Sequence, residues 1–243
     1  MRIPRPRVVL LRLALPLGLA AATIPFTHDV RGASRERANV PGISRSRGAA
    51  NTDSSSQRSV AEQVGAAARA REAARITGKY DAWFRKYTKR YFGIGTDWRM
   101  FKAQGVAESE LNPAARSGVG ARGLMQLMPA TFAAISASRG WMSNIDAPET
   151  NIAAGILHDH DLWELWKPKV EADELPRFAF ASYNAGEGTI FRARGVAAAA
   201  NLDPTRWDNI ARVAPTVRHW RHAETLGYVR KIEHTYDALR VAR

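Results

Sequence analysis

From Lys79 to the C terminus apolar residues recur at intervals of three and four. No stretch alternates apolar and polar residues for long enough to build a sheet. The pattern predicts an all-α or mainly α domain over residues 79–243. Its first helix is expected over Lys79–Phe92, where Tyr80, Trp83, Phe84, Tyr87 and Tyr91 are spaced 3, 1, 3 and 4. Thr96 or Asp97 is suited to cap a second helix running to about Glu108. Asn112-Pro113 and the glycines Gly118, Gly120 and Gly123 then interrupt regular structure. Pro129 fits a first helical position ahead of Ala130–Arg139. A long helical pattern covers Ala147–Trp166 and stops before Pro168. Further helices are expected over Leu175–Ala185, Gly188–Arg194, Thr205–Val213 and Ala223–Leu239.

Ahead of Lys79 the chain has too few large apolar residues to bury a core. Residues 1–7 are basic, residues 8–22 are mostly apolar, and Ala20, Ala21 and Ala22 supply small residues for a cleavage site. This is the three-part layout of a secretory signal peptide. Arg12 and Pro16 interrupt the apolar run, which is shorter than the ~20 residues a bilayer span requires. A cleaved signal over 1–22 is therefore expected, with an uncleaved inner-membrane tether as the alternative. Either form places the chain outside the cytoplasm, in the periplasm or cell envelope. Residues 23–78 include the run NTDSSSQRS at 51–59 and read as a disordered linker. Within it, Val60–Ile76 has the pattern of a short exposed helix.

The chain has no cysteine, which removes disulfides, thiolate metal sites and cysteine nucleophiles. Its net charge is +13, of which residues 1–78 carry +8. Such a charge suits an anionic partner, but an arginine-rich composition without a specific polyanion target is the preferred reading. Neither a zinc finger nor an RNP-type aromatic strand is present, so no nucleic-acid partner is expected. The run His158-Asp159-His160-Asp161 invites a metal reading. Residues two apart on a helix point roughly 200° from each other, however. That is poor chelating geometry, and a solvated helix face is the expected reading. No metal and no cofactor are expected.

The chemistry concentrates at the end of the second helix. Trp98, Phe101, Gly105 and Glu108 are spaced 3, 4 and 3, so they share one face. That face is apolar until its last member, a carboxylate. Burial and the helix C-terminus both disfavour the ionised form and raise its pKa, as a general acid near neutrality needs. On spacing alone, a frayed and solvated helix-end glutamate fits as well. Glu110, two residues on, lies past the expected helix end and points elsewhere.

The segment VAESELNPAARSGVGARGLMQLMPATF at 106–132 resembles the first signature of the soluble lytic transglycosylases, a lysozyme-like family. The matching positions are Glu108-Ser109, Asn112-Pro113, Ser117, Gly120-Ala121, Gly123 through Pro129, and Thr131. Asn151 and Gly155 resemble the family's Asn-x-x-x-Gly helix. FASYNAGEG at 180–188 and ETLGYVRKI at 224–232 resemble its later motifs, in the family's order. Ser182, Leu226 and the pair His158-Asp159 depart from the usual pattern. The last pair stands where Tyr-Leu is common.

The resemblance implies a lysozyme-like transglycosylase domain that acts, as a monomer, on the glycan strands of peptidoglycan. It implies cleavage of the MurNAc-β-1,4-GlcNAc bond without water, leaving 1,6-anhydroMurNAc ends, with Glu108 as acid and then base. By position it makes Tyr183 the partner that orients Glu108. Ser117, Gln126 and Met128 become lining of the glycan groove, and Asn184, Glu224 and Tyr228 second contacts. Read as residues alone, the two tyrosines fit core aromatics, Met128 a core filler and Glu224 a helix first-turn acid. Two other functions remain open at this point: a goose-type lysozyme-like hydrolase, and a non-catalytic wall-binding protein.

Overall fold

The computed structural model describes residues 63–71, 74–76, 78–137 and 139–241. The expected signal segment 1–22 and most of the expected linker lie outside the described residues. Residues 63–71 are helical and largely exposed, within the stretch read as a short helix over Val60–Ile76.

The described domain is mainly helical. Its order is α1 (Asp81–Phe92), α2 (Arg99–Ser109), α3 (Pro129–Ser136), α4 (Pro148–Trp166), α5 (Leu175–Ala185), α6 (Glu187–Ala199), α7 (Trp207–Val213), a 3₁₀ turn (Ala214–Thr216) and α8 (His222–Val241). Among the described residues, extended pairing is confined to two isolated bridges, Arg116 with Arg122 and Arg122 with Leu127. The helices fall in the expected order. The segment expected to stop at Arg194 instead continues through Gly195 and Val196 to Ala199, its last three residues being alanines with the highest helix propensity. Asp97 lies just ahead of α2, where its Oδ1 accepts the Arg99 N–H at 3.1 Å. It thereby satisfies a donor that the helix start leaves free.

The packed pairs close a circuit: α1 lies on α4, α4 on α5, α5 on α8, α8 on α2, and α2 back on α1. Phe84 from α1, Phe101 from α2, Phe178 from α5 and Trp166 from α4 are fully buried within it. Phe92 meets Phe101 at 4.7 Å between ring centroids, and Trp166 meets Phe178 at 5.2 Å. The aromatic stripe of α1 thus supplies the apolar area that holds α2 and α4 together. Two buried ionic groups are paired rather than isolated, as burial demands. Lys102 meets Asp81 at 2.6 Å, and Glu174 meets Arg206 at 3.1 Å and accepts the Trp207 N–H.

Between α2 and α3 the chain forms a tight loop, and α4 passes beneath it at Gly155. A Cβ on Gly155 would stand 2.7 Å from both Cβ and Cγ of Met125, which is fully buried. The glycine is therefore required by close approach of helix and loop. Gly155→Ala is expected to lower stability by about 1–3 kcal/mol in urea unfolding. Combining it with Met125→Ala should cost less than the sum of the two single changes. Simple additivity of the pair would refute the contact.

Candidate active site

Glu108 is the penultimate residue of α2, and three other helices converge on that end. Tyr228 of α8 donates its hydroxyl to Glu108 Oε1 at 2.5 Å. Lys231, one turn further along α8, bonds the Ala107 carbonyl at 3.5 Å and acts electrostatically on the same carboxyl. Glu224, at the start of α8, pairs with Arg221 at 3.1 Å and adds a repulsive charge. Tyr183 of α5 does not bond Glu108. Its hydroxyl donates to the Met125 carbonyl at 2.8 Å, and its ring lies against His158 of α4 at 5.0 Å between centroids. The partner expected to orient the glutamate is thus displaced from Tyr183 to Tyr228.

The helix does not fray. Glu110 and Leu111 both take left-handed backbone angles, with φ 54° and 60°. The Glu110 N–H closes onto the Val106 carbonyl at 3.0 Å. This reversal turns Glu110 outward and buries Leu111. A branched side chain in that region is strained, so the conformation persists only because the packing of Leu111 holds it.

The loop that follows packs against α2, α4 and α5. Ser117 Oγ accepts the Ala121 N–H at 2.9 Å, and Arg122 and Leu127 exchange backbone bonds at 2.9 and 3.0 Å. Gln126 is buried, and its amide donates to the Ala115 and Gly123 carbonyls at 3.2 and 3.0 Å. The structure therefore spends Gln126 inside the loop rather than on an open groove. Ser117 and Met128 keep partial exposure at its edges. Asn184 accepts the Thr225 hydroxyl at 2.8 Å, tying α5 to α8.

Three helices grip the loop's backbone. Asn151 of α4 accepts the Met125 N–H at 2.8 Å and donates to the Arg122 and Ile145 carbonyls, both at 2.9 Å. Ser109 of α2 donates to the Leu124 carbonyl at 2.8 Å, and Tyr183 of α5 takes the next carbonyl. Gly123 has φ 76°, and a Cβ there would stand 2.5 Å from Asn151 Nδ2. Sequence reasoning recognised Asn151 and Ser109 only as matched positions. Their work is to satisfy backbone groups that no strand or helix satisfies.

One expectation is overturned in part. The His158–Asp161 run includes an exposed Asp161 and partly exposed histidines, but Asp159 has no exposed surface at all. It accepts the Gln104 amide at 3.1 Å, linking α4 to α2. Its buried position arises because α4 is enclosed on several sides by α1, α3 and α5. Among the described residues no group of three or more His, Cys, Asp or Glu is placed to hold a metal ion.

Electrostatics follow from this enclosure. Burial raises the Glu108 pKa to about 8, against the opposing effects of the Tyr228 hydrogen bond and Lys231. The carboxyl is thus neutral at pH 7, yet the residue retains partial exposure. Burial also pushes His158 down to about 4, so it is a neutral ring. Tyr183 and Tyr228 are raised well above their ordinary range, chiefly by burial, and remain neutral.

Residues 84–203 match the family model described as the transglycosylase SLT domain. The chain belongs to the soluble lytic transglycosylase family. It is 30% identical over 175 residues to the membrane-bound lytic murein transglycosylase F of Shewanella frigidimarina, covering 68% of this chain and 35% of that protein. The protein of the same description from Stutzerimonas stutzeri is 31% identical over 182 residues, covering 74% of this chain and 36% of the relative. The chain therefore spans about a third of the length of these relatives. Its fold is similar to that of the 70 kDa soluble lytic transglycosylase of Escherichia coli, with a TM-score of 0.53 at 24% identity over 68% of this chain and 25% of that one. An inactive mutant of the lytic transglycosylase Slt from Pseudomonas aeruginosa gives the same TM-score, 0.53, at 24% identity, over 67% of this chain and 24% of the other.

The raised Glu108 pKa has a signed consequence for stability. The fold favours the neutral acid, so the group's contribution is complete below the ordinary carboxylate range and is lost as pH rises through about 8. Glu108→Gln is neutral at every pH. Its melting temperature is expected to match the wild type near pH 4, to exceed it increasingly as pH rises, and to hold a constant margin above about pH 8. A margin independent of pH in thermal unfolding would count against the buried acid.

Proposed function

We propose that this chain is a peptidoglycan lytic transglycosylase in which Glu108 serves first as acid and then as base. The observation that carries the reading is a carboxyl kept neutral at pH 7 by burial, held in place by Tyr228, at a partly open helix end. A general acid near neutrality requires that protonation state together with access to substrate.

In this mechanism Glu108 donates its proton to the oxygen of the MurNAc-β-1,4-GlcNAc bond, and the leaving sugar departs as an alcohol. The oxocarbenium charge that develops at C1 is met by the neighbouring N-acetyl group of the substrate. Glu108, now a carboxylate, accepts the proton of the C6 hydroxyl as that oxygen closes onto C1. The product carries a 1,6-anhydro ring and no water is consumed. The Tyr228 hydroxyl and the Lys231 charge both favour the carboxylate, so their influence grows as Glu108 gives up its proton.

A hydrolase that inverts uses a second carboxylate to hold a water on the sugar's far face. Glu110, the candidate near Glu108 in sequence, is turned outward, and Asp159 is sealed from solvent. Glu224 is already paired with Arg221. These placements favour the transglycosylase over the lysozyme-type outcome. The substrate assigns the chain's work to the cell envelope. Among the described residues no helix is long and apolar enough to cross a membrane.

Digestion of purified peptidoglycan followed by mass spectrometry tests the reading. The expected muropeptides are lighter by one water than hydrolysis products, and activity falls as pH rises through about 8. Glu108→Gln should lower turnover by about 10²–10⁴-fold. Free reducing ends would instead mean a hydrolase. Retained binding to sacculi without products would mean a wall-binding protein. Tyr228→Phe removes a hydrogen bond to the charged form, so it should slow turnover by about 10–100-fold and move the alkaline limb to higher pH. A limb that moved to lower pH would exclude the assigned role of Tyr228.

A further inference from the structure

Asp159 and Gln104 form a polar pair with no contact to solvent, each with 0% of its surface exposed. Gln104 Nε2 donates to Asp159 Oδ1 at 3.1 Å. The remaining oxygens, Gln104 Oε1 and Asp159 Oδ2, are both buried and have no partner. A carboxylate can only accept hydrogen bonds, and an amide oxygen can only accept. Ionised, the pair would strand two acceptors and a charge in the core, an arrangement that burial strongly disfavours. One added proton removes the charge and supplies the donor that these two acceptors lack. A carboxylic acid and a primary amide each present a donor beside an acceptor, so they are complementary edge to edge.

We propose that Asp159 is a positioning residue for Glu108: a neutral carboxylic acid whose Oδ2–H donates to Gln104 Oε1, closing a ring of two hydrogen bonds between α4 and α2. The inference rests on the reading of Glu108 as acid and base. Gln104 precedes Glu108 by four residues, so the two share one face of α2, one turn apart. The ring fixes that turn from behind. It also leaves Glu108 without an anionic neighbour on α4 when it becomes a carboxylate. This matters because Asp159 and Glu108 act on each other electrostatically, and burial raises the Asp159 pKa well above its usual range.

The groups acting on Asp159 are Glu108 from α2, Tyr183 from α5 and Tyr228 from α8, all neutral as described. His158 beside it on α4 is a neutral ring. From α1, Lys86 and Tyr87 are engaged with Glu149, about 15 Å away along the axis of α4. Arg139, beyond α3, acts on Asp161.

Two arms test the proposal on the full chain. The first needs no activity. Infrared spectra of Glu108→Gln at neutral pH are expected to show the carbonyl stretch of a protonated carboxylic acid, lost in Glu108→Gln/Asp159→Asn. Absence of that band overturns the neutral acid, whatever the chain proves to cleave. The second arm is kinetic. Asp159→Leu breaks the ring and is expected to lower kcat about tenfold with KM within about twofold, because the lesion reaches Glu108 and leaves the groove intact. Asp159→Asn rebuilds the ring as an amide pair and should restore kcat and leave the alkaline limb in place. A limb moved to lower pH by Asp159→Asn would mean that an anion had been removed, and would overturn the proposal. Undiminished kcat in Asp159→Leu would overturn the positioning role. If Asp159→Leu fails to fold, the infrared band and the limb of Asp159→Asn still decide.

Discussion

The site depends on a buried asparagine that stands in for a missing strand. The loop between α2 and α3 makes a reversal too tight for regular pairing, so several of its backbone groups enter the interior without partners of their own. Asn151 supplies two of them from one amide, the Met125 N–H and the Arg122 carbonyl, and also takes the Ile145 carbonyl ahead of α4; Ser109 and Tyr183 take the carbonyls of Leu124 and Met125. Each such bond contributes only about 1 kcal/mol net, but a missing one would expose the full cost of an unsatisfied buried group. The family's signature residues are therefore largely architectural. They hold a loop against the helix that ends beside Glu108.

Burial decides which influence on Glu108 wins. Tyr228 and Lys231 both stabilise the carboxylate, and either would ordinarily place a glutamate below pH 5. Burial outweighs them together and raises the pKa to about 8. The opposing groups are not wasted. They act weakly on the neutral acid and strongly on the anion, so they lower the barrier to giving up the proton without keeping the proton off at rest. A more exposed carboxyl with the same neighbours would be ionised and useless as an acid, and a more buried one would lack access to substrate.

Local patterns in the sequence carried the helices well, because amphipathic spacing, Pro129 and Pro148 at helix starts, and the glycines of the loop all act over a few residues. They also marked Glu108, through the apolar face it completes. Long-range pairing left no such trace. Tyr228 reaches Glu108 across 120 residues, and nothing local separates it from Tyr183 as the orienting group. In the run at 158–161 the burial of Asp159 left no local trace for the same reason. Alternating His and Asp looks like a wet surface until one knows that α4 is enclosed by other helices, which only the assembled fold reveals.

The end of α2 explains why the two readings of Glu108 that spacing left open are not equivalent. A helix that frays exposes its last side chains, and a carboxyl released to water returns to its ordinary pKa. Here fraying is opposed on both sides of the residue. Ahead of it, Gly105 lets Phe84 and Leu111 approach to near contact, where a Cβ would meet them at 3.1 and 3.0 Å. After it, the left-handed pair Glu110-Leu111 commits the chain to the loop, and burial of Leu111 compensates the backbone strain. The raised pKa thus depends on the locked helix end, which keeps Glu108 buried among its neighbours, and any change that loosens Leu111 acts on Glu108 without touching it.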